Sequence, residues 1–307
     1  MKHVIKKISI PVCGVMLGTA ALGNLLQSYS EKIRYVCGGF AALLLVGVLL
    51  KLILDVRAVK EELKTPVGAS VAGTFSMALM IFSTYLKPFI GKGAYYLWVS
   101  AIGLHLVLIC YFTVKFMIKL QMPKVFASYY IVYVGIAVAA ITAPAYEKPQ
   151  VGSLAFWFGF LTLLLLLVLV TYRYMAYKEV PDPAKPLICI YAAPASLCLA
   201  GYIQSVTPKS YGFLMAMFAL SSVLYLFGLV KALQCLKMPF FPSYAAFTFP
   251  FVISAIAAKQ TMVCAANLGH PLPVLRFVVL AETAIAVCLV VYTYIRFVGF
   301  LFGKGEK

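Results

Sequence analysis

Acidic residues are what this sequence has least of: its 307 residues include nine Asp and Glu against 26 Lys and Arg, and charged residues of both signs make up only 11%. A soluble domain carries about a quarter charged residues, so water is not the main solvent of this chain. Histidine is equally scarce. His3, His105 and His270 are scattered, which leaves a zinc or iron site without a ligand cluster. The eight cysteines (Cys13, Cys37, Cys110, Cys189, Cys198, Cys235, Cys264 and Cys288) form no CxxC pair and lie in or beside apolar runs. They read as small buried hydrophobes, not as disulfides or metal ligands. With no nucleophile or metal constellation, an enzyme is not expected, and no cofactor or metal is implied.

What fills the chain instead is apolar: 64% of residues are hydrophobic. They gather into ten runs, each long enough to cross about 30 Å of hydrocarbon. The runs cover about 11–28, 33–56, 66–86, 94–118, 123–143, 155–176, 186–206, 211–236, 242–266 and 273–299. Connections are short, so 1–307 is expected to form a single transmembrane domain in the lipid bilayer. The formal charge of +17 could suggest a nucleic-acid partner, but the cations sit between apolar runs and form no patch, so membrane topology explains them and no nucleic acid is expected. Lys2, Lys6 and Lys7 ahead of an apolar stretch resemble the start of a signal peptide. Pro11, Gly14, Gly18 and Gly23 interrupt that stretch, and it opens a repeat, so it is taken as the first span.

Ten crossings place eighteen Lys and Arg on the side of the N-terminus, among them Lys2, Lys51, Lys115, Arg173, Lys231, Arg296, Lys304 and Lys307, and seven on the other. Both termini are therefore expected in the cytoplasm, with the protein in the plasma membrane.

Proline marks a five-fold repeat. Pro11, Pro66, Pro123, Pro186 and Pro242, separated by 55, 57, 63 and 56 residues, stand at the starts of the odd-numbered runs, where a missing N–H has no intrahelical partner to lose. The unit is a helical hairpin of about 58 residues, the kind of self-similarity that signals stacked copies. Gly, Ala, Ser, Thr and Pro are about twice as dense in the odd runs as in the even ones. Leucine moves the other way, with seven between Ala155 and Ala176 and none between Pro242 and Ala266. Small residues allow close helix contact and leave lumen space, whereas bulky aliphatics suit lipid. The expected fold is an all-α integral membrane protein of five hairpins in a quasi-five-fold arrangement, with an inner ring of odd helices lining a pore and an outer ring of even ones. Tight packing without any lumen is the competing reading. Against it, Pro194 and Pro250 lie deep in the seventh and ninth runs, and broken backbone at depth is tolerated only inside protein or beside a wet cavity.

Intramembrane charge is limited to Lys259 and Glu282, nearly level on neighbouring helices; His105 is the other ionisable group well inside a span. The two charges can form a structural ion pair, or Lys259 can attract anions and Glu282 couple protons. His105 reads as a hydrogen-bonded packing residue. The ninth run holds the densest pattern, Ala245-Ala-Phe247-Thr248-Phe249-Pro250 with Ser254 after it. Phe249 sits roughly 10 Å into the membrane, where a ring beside a kink either packs in the core or plugs a narrow lumen.

These residues carry a family resemblance. Gly14-Val-Met-Leu-Gly18-Thr-Ala-Ala-Leu22 is similar to the first-helix pattern G-I-x-L-G-x-A-A-L of the tellurite-resistance/dicarboxylate transporter family, which includes TehA-like bacterial proteins and the slow-type anion channel of plant guard cells. Ala193-Pro194-Ala195 resembles its seventh-helix element, and Ala246-Phe247-Thr248-Phe249-Pro250 with Ser254 its ninth-helix signature. Met16 and Lys259 depart from the family pattern. The resemblance implies a homotrimer whose protomers each hold a five-helix pore, and it implies that Phe249 occludes that pore. Small inorganic or organic anions are the expected partners, carried by a channel or uniporter, or alternatively by a proton-coupled carrier of C4-dicarboxylates, sulfite or a related oxyanion.

Overall fold

The computed structural model describes residues 2–303, with side chains from Val4 onward; Lys304 and Lys307, and the side chain of Lys2, counted above, lie outside the described residues. The described residues form helices and the turns between them, with no strand among them. The principal helices are α1 (Val12–Leu26), α2 (Glu31–Leu54), α3 (Pro66–Ile90), α4 (Lys92–Met117) and α5 (Tyr129–Tyr146), then α6 (Pro149–Ala176), α7 (Asp182–Ser205), α8 (Tyr211–Cys235), α9 (Pro242–Asn267) and α10 (Leu275–Phe302). All but the 15-residue α1 are long and apolar enough to span a bilayer by themselves.

Helical structure follows from the solvent, since in lipid every backbone N–H and C=O must be satisfied within the segment. Local chemistry sets the ends. Thr65 accepts a hydrogen bond from the Gly68 amide at 3.0 Å, just ahead of Pro66 at the first position of α3. Gly91, with φ +48°, turns the chain from α3 into α4 in a single residue, a conformation that favours glycine. Two proline positions differ from the expected repeat. Pro123 sits in a separate 3-10 turn, Met122–Lys124, after which Val125 is extended, so α5 begins only at Tyr129. Pro186 lies inside α7, whose first eleven residues wind as a 3-10 helix from Asp182.

Burial divides the helices into two sets. In the most apolar stretch of α3, α5, α7 and α9, 67–89% of residues are buried, against 28–39% in α2, α4, α6, α8 and α10; α1 is buried almost throughout. Contacts run from α1 to α3, α5, α7 and α9 and back to α1. The even helices lie outside them: α2 on α1, α4 on α3, α6 on α5 and α7, α8 on α7 and α9, and α10 on α9 and α1. Their outward faces carry Leu43, Leu106, Leu165, Val223 and Phe277. Cys110 and Cys288 are on those faces too, so these two are not the buried residues expected; a thiol is apolar enough for lipid.

The repeat is visible in hydrogen bonds. Thr113 to Tyr133 (2.8 Å, α4 to α5) recurs 58 positions later as Thr171 to Tyr191 (3.0 Å, α6 to α7). Ser70–Ser128, from α3 to the residue before α5, and Ser196–Ser254, from α7 to α9, each join residues 58 apart. His105 on α4 bonds to both α3 and α5. Its Nε2 lies 3.0 Å from the Val132 carbonyl and its Nδ1 2.7 Å from the Ser76 hydroxyl. An Nε2–H donating to the carbonyl leaves Nδ1 to accept from Ser76, so a neutral imidazole satisfies both. At the termini, Lys7 Nζ donates to the carbonyls of Phe300 and Gly303, which puts the two chain ends on one face.

Candidate functional site

The five buried helices border a cavity of about 80 Å³ that runs from their N-terminal ends toward the middle of the bundle, and every one of them contributes wall: Gly14 from α1, Val71 and Met77 from α3, Val134 from α5, Pro194 from α7, Phe249 from α9. That is space for several water molecules but not for a full hydration shell. Among the described residues, no charged side chain stands on the wall. Of its polar residues, Thr74 turns its hydroxyl to the Val71 carbonyl and Tyr130 to the Leu166 carbonyl, while the Ser243 hydroxyl is buried without a partner.

Backbone breaks in α7 and α9 shape this cavity. In α9 a 3-10 segment, Pro242–Phe247, ends at Thr248 (φ −98°, ψ −92°), and α-helix resumes at Phe249 with Pro250 in its first turn. In α7 the 3-10 segment ends at Ala193 and α-helix resumes at Pro194. Proline has no N–H to give, and a first turn needs none. The carbonyl that the α7 break leaves free, that of Ala192, lies 2.9 Å from the Ser254 hydroxyl and 3.0 Å from that of Ser196, so that one hydroxyl donates to the carbonyl and the other to its fellow serine. Thr248 reaches across to α1, with its hydroxyl 3.0 Å from the Gly14 carbonyl. Gly18 makes that approach possible, because a Cβ there would lie 2.8 Å from the Phe249 nitrogen.

Of the residues singled out in the sequence, Gly14, Pro194, Phe249 and Pro250 therefore stand on the cavity wall, whereas Gly18, Phe247, Thr248 and Ser254 do not. Gly18, Thr248 and Ser254 hold the breaks in place from behind. Phe247 is fully buried against Tyr244, ring centroids 4.6 Å apart. Phe247 ends the 3-10 segment and Phe249 begins the α-helix beyond Thr248, and only Phe249 lies on the cavity wall.

The ion pair of Lys259 and Glu282 is not formed. Lys259 on α9 turns to the end of α1, donating to the Leu25 carbonyl at 3.4 Å and to the Ser28 hydroxyl, with the Tyr29 ring 5.2 Å beneath its ammonium. A helix C-terminus offers carbonyls that lack amide partners, and a lysine there needs no carboxylate. Glu282 is buried in α10, and its Oε2 has no hydrogen-bond partner.

At the face holding the termini, Glu62 was not anticipated. It lies on a short amphipathic helix, Val56–Leu63, that links α2 to α3, and its Oε2 accepts from the Ile10 amide at 2.8 Å, next to Pro11 on the cavity wall. Burial pushes its carboxyl above the ordinary value of 4.5, against the pull of that hydrogen bond and of Lys51. A mixed-charge linker gives no sequence signal for such a contact.

No curated protein matches the chain. The family described as voltage-dependent anion channel matches residues 7–301, nearly the whole length. An all-helical membrane fold whose chain matches that family over nearly its whole length belongs to it: this protein is a member of the SLAC1 family of voltage-dependent anion channels, which carry anions across membranes.

Proposed function

We propose that α1, α3, α5, α7 and α9 line the anion conduit in a quasi-five-fold arrangement, that the central cavity is its narrowest part, and that Phe249 closes it. The observation that carries this reading is the cavity itself, because all five buried helices supply its wall and Phe249 projects from the break in α9. With no fixed charge on the wall, passage is limited by diameter and by the free energy of removing water from the anion. Weakly hydrated anions then cross most easily. The whole chain acts as one transmembrane unit in the plasma membrane with both termini cytoplasmic, and three such protomers assemble, each with its own conduit.

The placement of Glu282 favours a passive channel or uniporter over a proton-coupled carrier, since it stands on α10 and off the cavity wall. Purified protein in liposomes decides the matter. Anion flux should follow the anion's own electrochemical gradient, rise in the order of falling hydration, and be indifferent to an imposed pH gradient. Accumulation against a concentration gradient, driven by pH, would instead establish the carrier.

A further inference from the structure

A second, wider cavity of about 530 Å³ opens at the face opposite the termini, between the ends of α1, α7 and α9. Its position follows from helix register. Asn24, Gln204 and Ile256 on its wall each lie seven residues beyond a residue of the central cavity, namely Leu17, Leu197 and Phe249. Seven residues are about two turns, which keeps each pair on one face and separates them by roughly 10 Å along the axis. The wider cavity thus sits beyond the α1, α7 and α9 side of the narrow one, at the outer mouth.

Its chemistry is the reverse of the apolar lumen. Lys209 and Lys259 stand on the wall together with the carboxamides of Asn24, Gln204, Gln260 and Asn267, and no Asp or Glu does. Among the described residues neither ammonium has a carboxylate partner: Lys209 donates to the Val206 carbonyl, and Lys259 to Leu25 and Ser28. Arg34 stands behind the wall, buried, and donates from Nε to the Asn24 Oδ1 at 3.1 Å. That bond occupies the oxygen of Asn24 and leaves its amide hydrogens for the cavity.

We infer that this vestibule is an anion-loading site, in which Lys259 and Lys209 capture a hydrated monovalent anion from the outer solution and hold it above the narrow lumen. The inference rests on the conduit proposed above. Lysines present point charges without the fixed fork of arginine, and the space admits an anion with much of its hydration intact. Binding is therefore weak and tolerant of shape, which suits a site that must release its ion onward. A cleft lined by one sign of charge raises the local concentration of counter-ions.

The test uses the full-length protein in oocytes, with current carried by chloride entering from the outer bath. In a Phe249→Ala background, Lys259→Gln should lower that current about three- to ten-fold at about 10 mM external salt, where screening extends over about 30 Å. Near 1 M salt, where it extends over about 3 Å, the loss should shrink to less than two-fold. Current carried by chloride leaving the cell should change far less. Lys209→Gln should act in the same direction, and Lys259→Arg should restore most of what Gln removes, which separates charge from packing. Unfolding temperature and size-exclusion profile establish that each variant is folded. A Lys259→Gln loss that is the same at both salt levels, or the same in both directions, or no loss at all, overturns the loading site. If Phe249→Ala alone fails to raise the current, it is the conduit reading that has failed, and the salt dependence at Lys259 is then read on the unmodified chain.

Discussion

Truncating Phe249 to Ala separates a gate from a packing residue. In a tightly packed core, Phe to Ala costs about 3–5 kcal/mol. Phe249 borders the 80 Å³ lumen on one side and lacks packing atoms there, so roughly half that cost is expected. The ring's volume then joins the lumen, and the apolar barrier to a hydrated anion falls. A barrier lowered by about 3 kcal/mol corresponds to about a hundred-fold in rate; at least a ten-fold rise in chloride conductance is the expected outcome. Phe247 supplies the control. It is fully buried against Tyr244 and absent from the wall, so Phe247→Ala should incur the full 3–5 kcal/mol without raising conductance. The assay pairs thermal unfolding in detergent with chloride efflux from liposomes under a potassium diffusion potential. Folded Phe249→Ala protein with a conductance within two-fold of the parent, or an equal rise in Phe247→Ala, would refute the assignment of the gate.

Gly18→Ala brings a Cβ to within 2.8 Å of the Phe249 backbone nitrogen; overpacking of this kind costs about 1–3 kcal/mol, and a lower unfolding temperature should be accompanied by altered conductance because the α9 break is displaced. Glu62→Gln keeps an acceptor for the Ile10 amide while removing a half-buried charge. Since the folded carboxyl titrates above its ordinary value of 4.5, the parent loses stability as pH rises through that raised value. The variant should therefore unfold at a higher temperature than the parent at neutral pH, with the difference closing below pH 4.5; a variant that is less stable at pH 7 and equally so at pH 4 would contradict this.

Read alone, the sequence determined the membrane fold. Runs of apolar residues with few charges between them can be satisfied in lipid only as helices, and the contrast between small-residue and leucine-rich runs tracks which helices are buried and which face outward. Composition suffices there because burial against protein or against lipid is a property of whole segments. What the tertiary structure decided is where individual side chains point. Phe247, Thr248 and Phe249 are adjacent in sequence, yet one packs behind, one bonds across to α1 and one meets the lumen, because the change from 3-10 to α winding at Thr248 resets the helical phase. Lys259 and Glu282 are level in sequence register but find different surroundings, the lysine at the open carbonyls of α1 and the glutamate buried in α10. The wider cavity draws its walls from segments more than 150 residues apart, such as Asn24 and Gln204. Pairings of that kind arise only when the ring closes, so no local pattern in the chain can announce them.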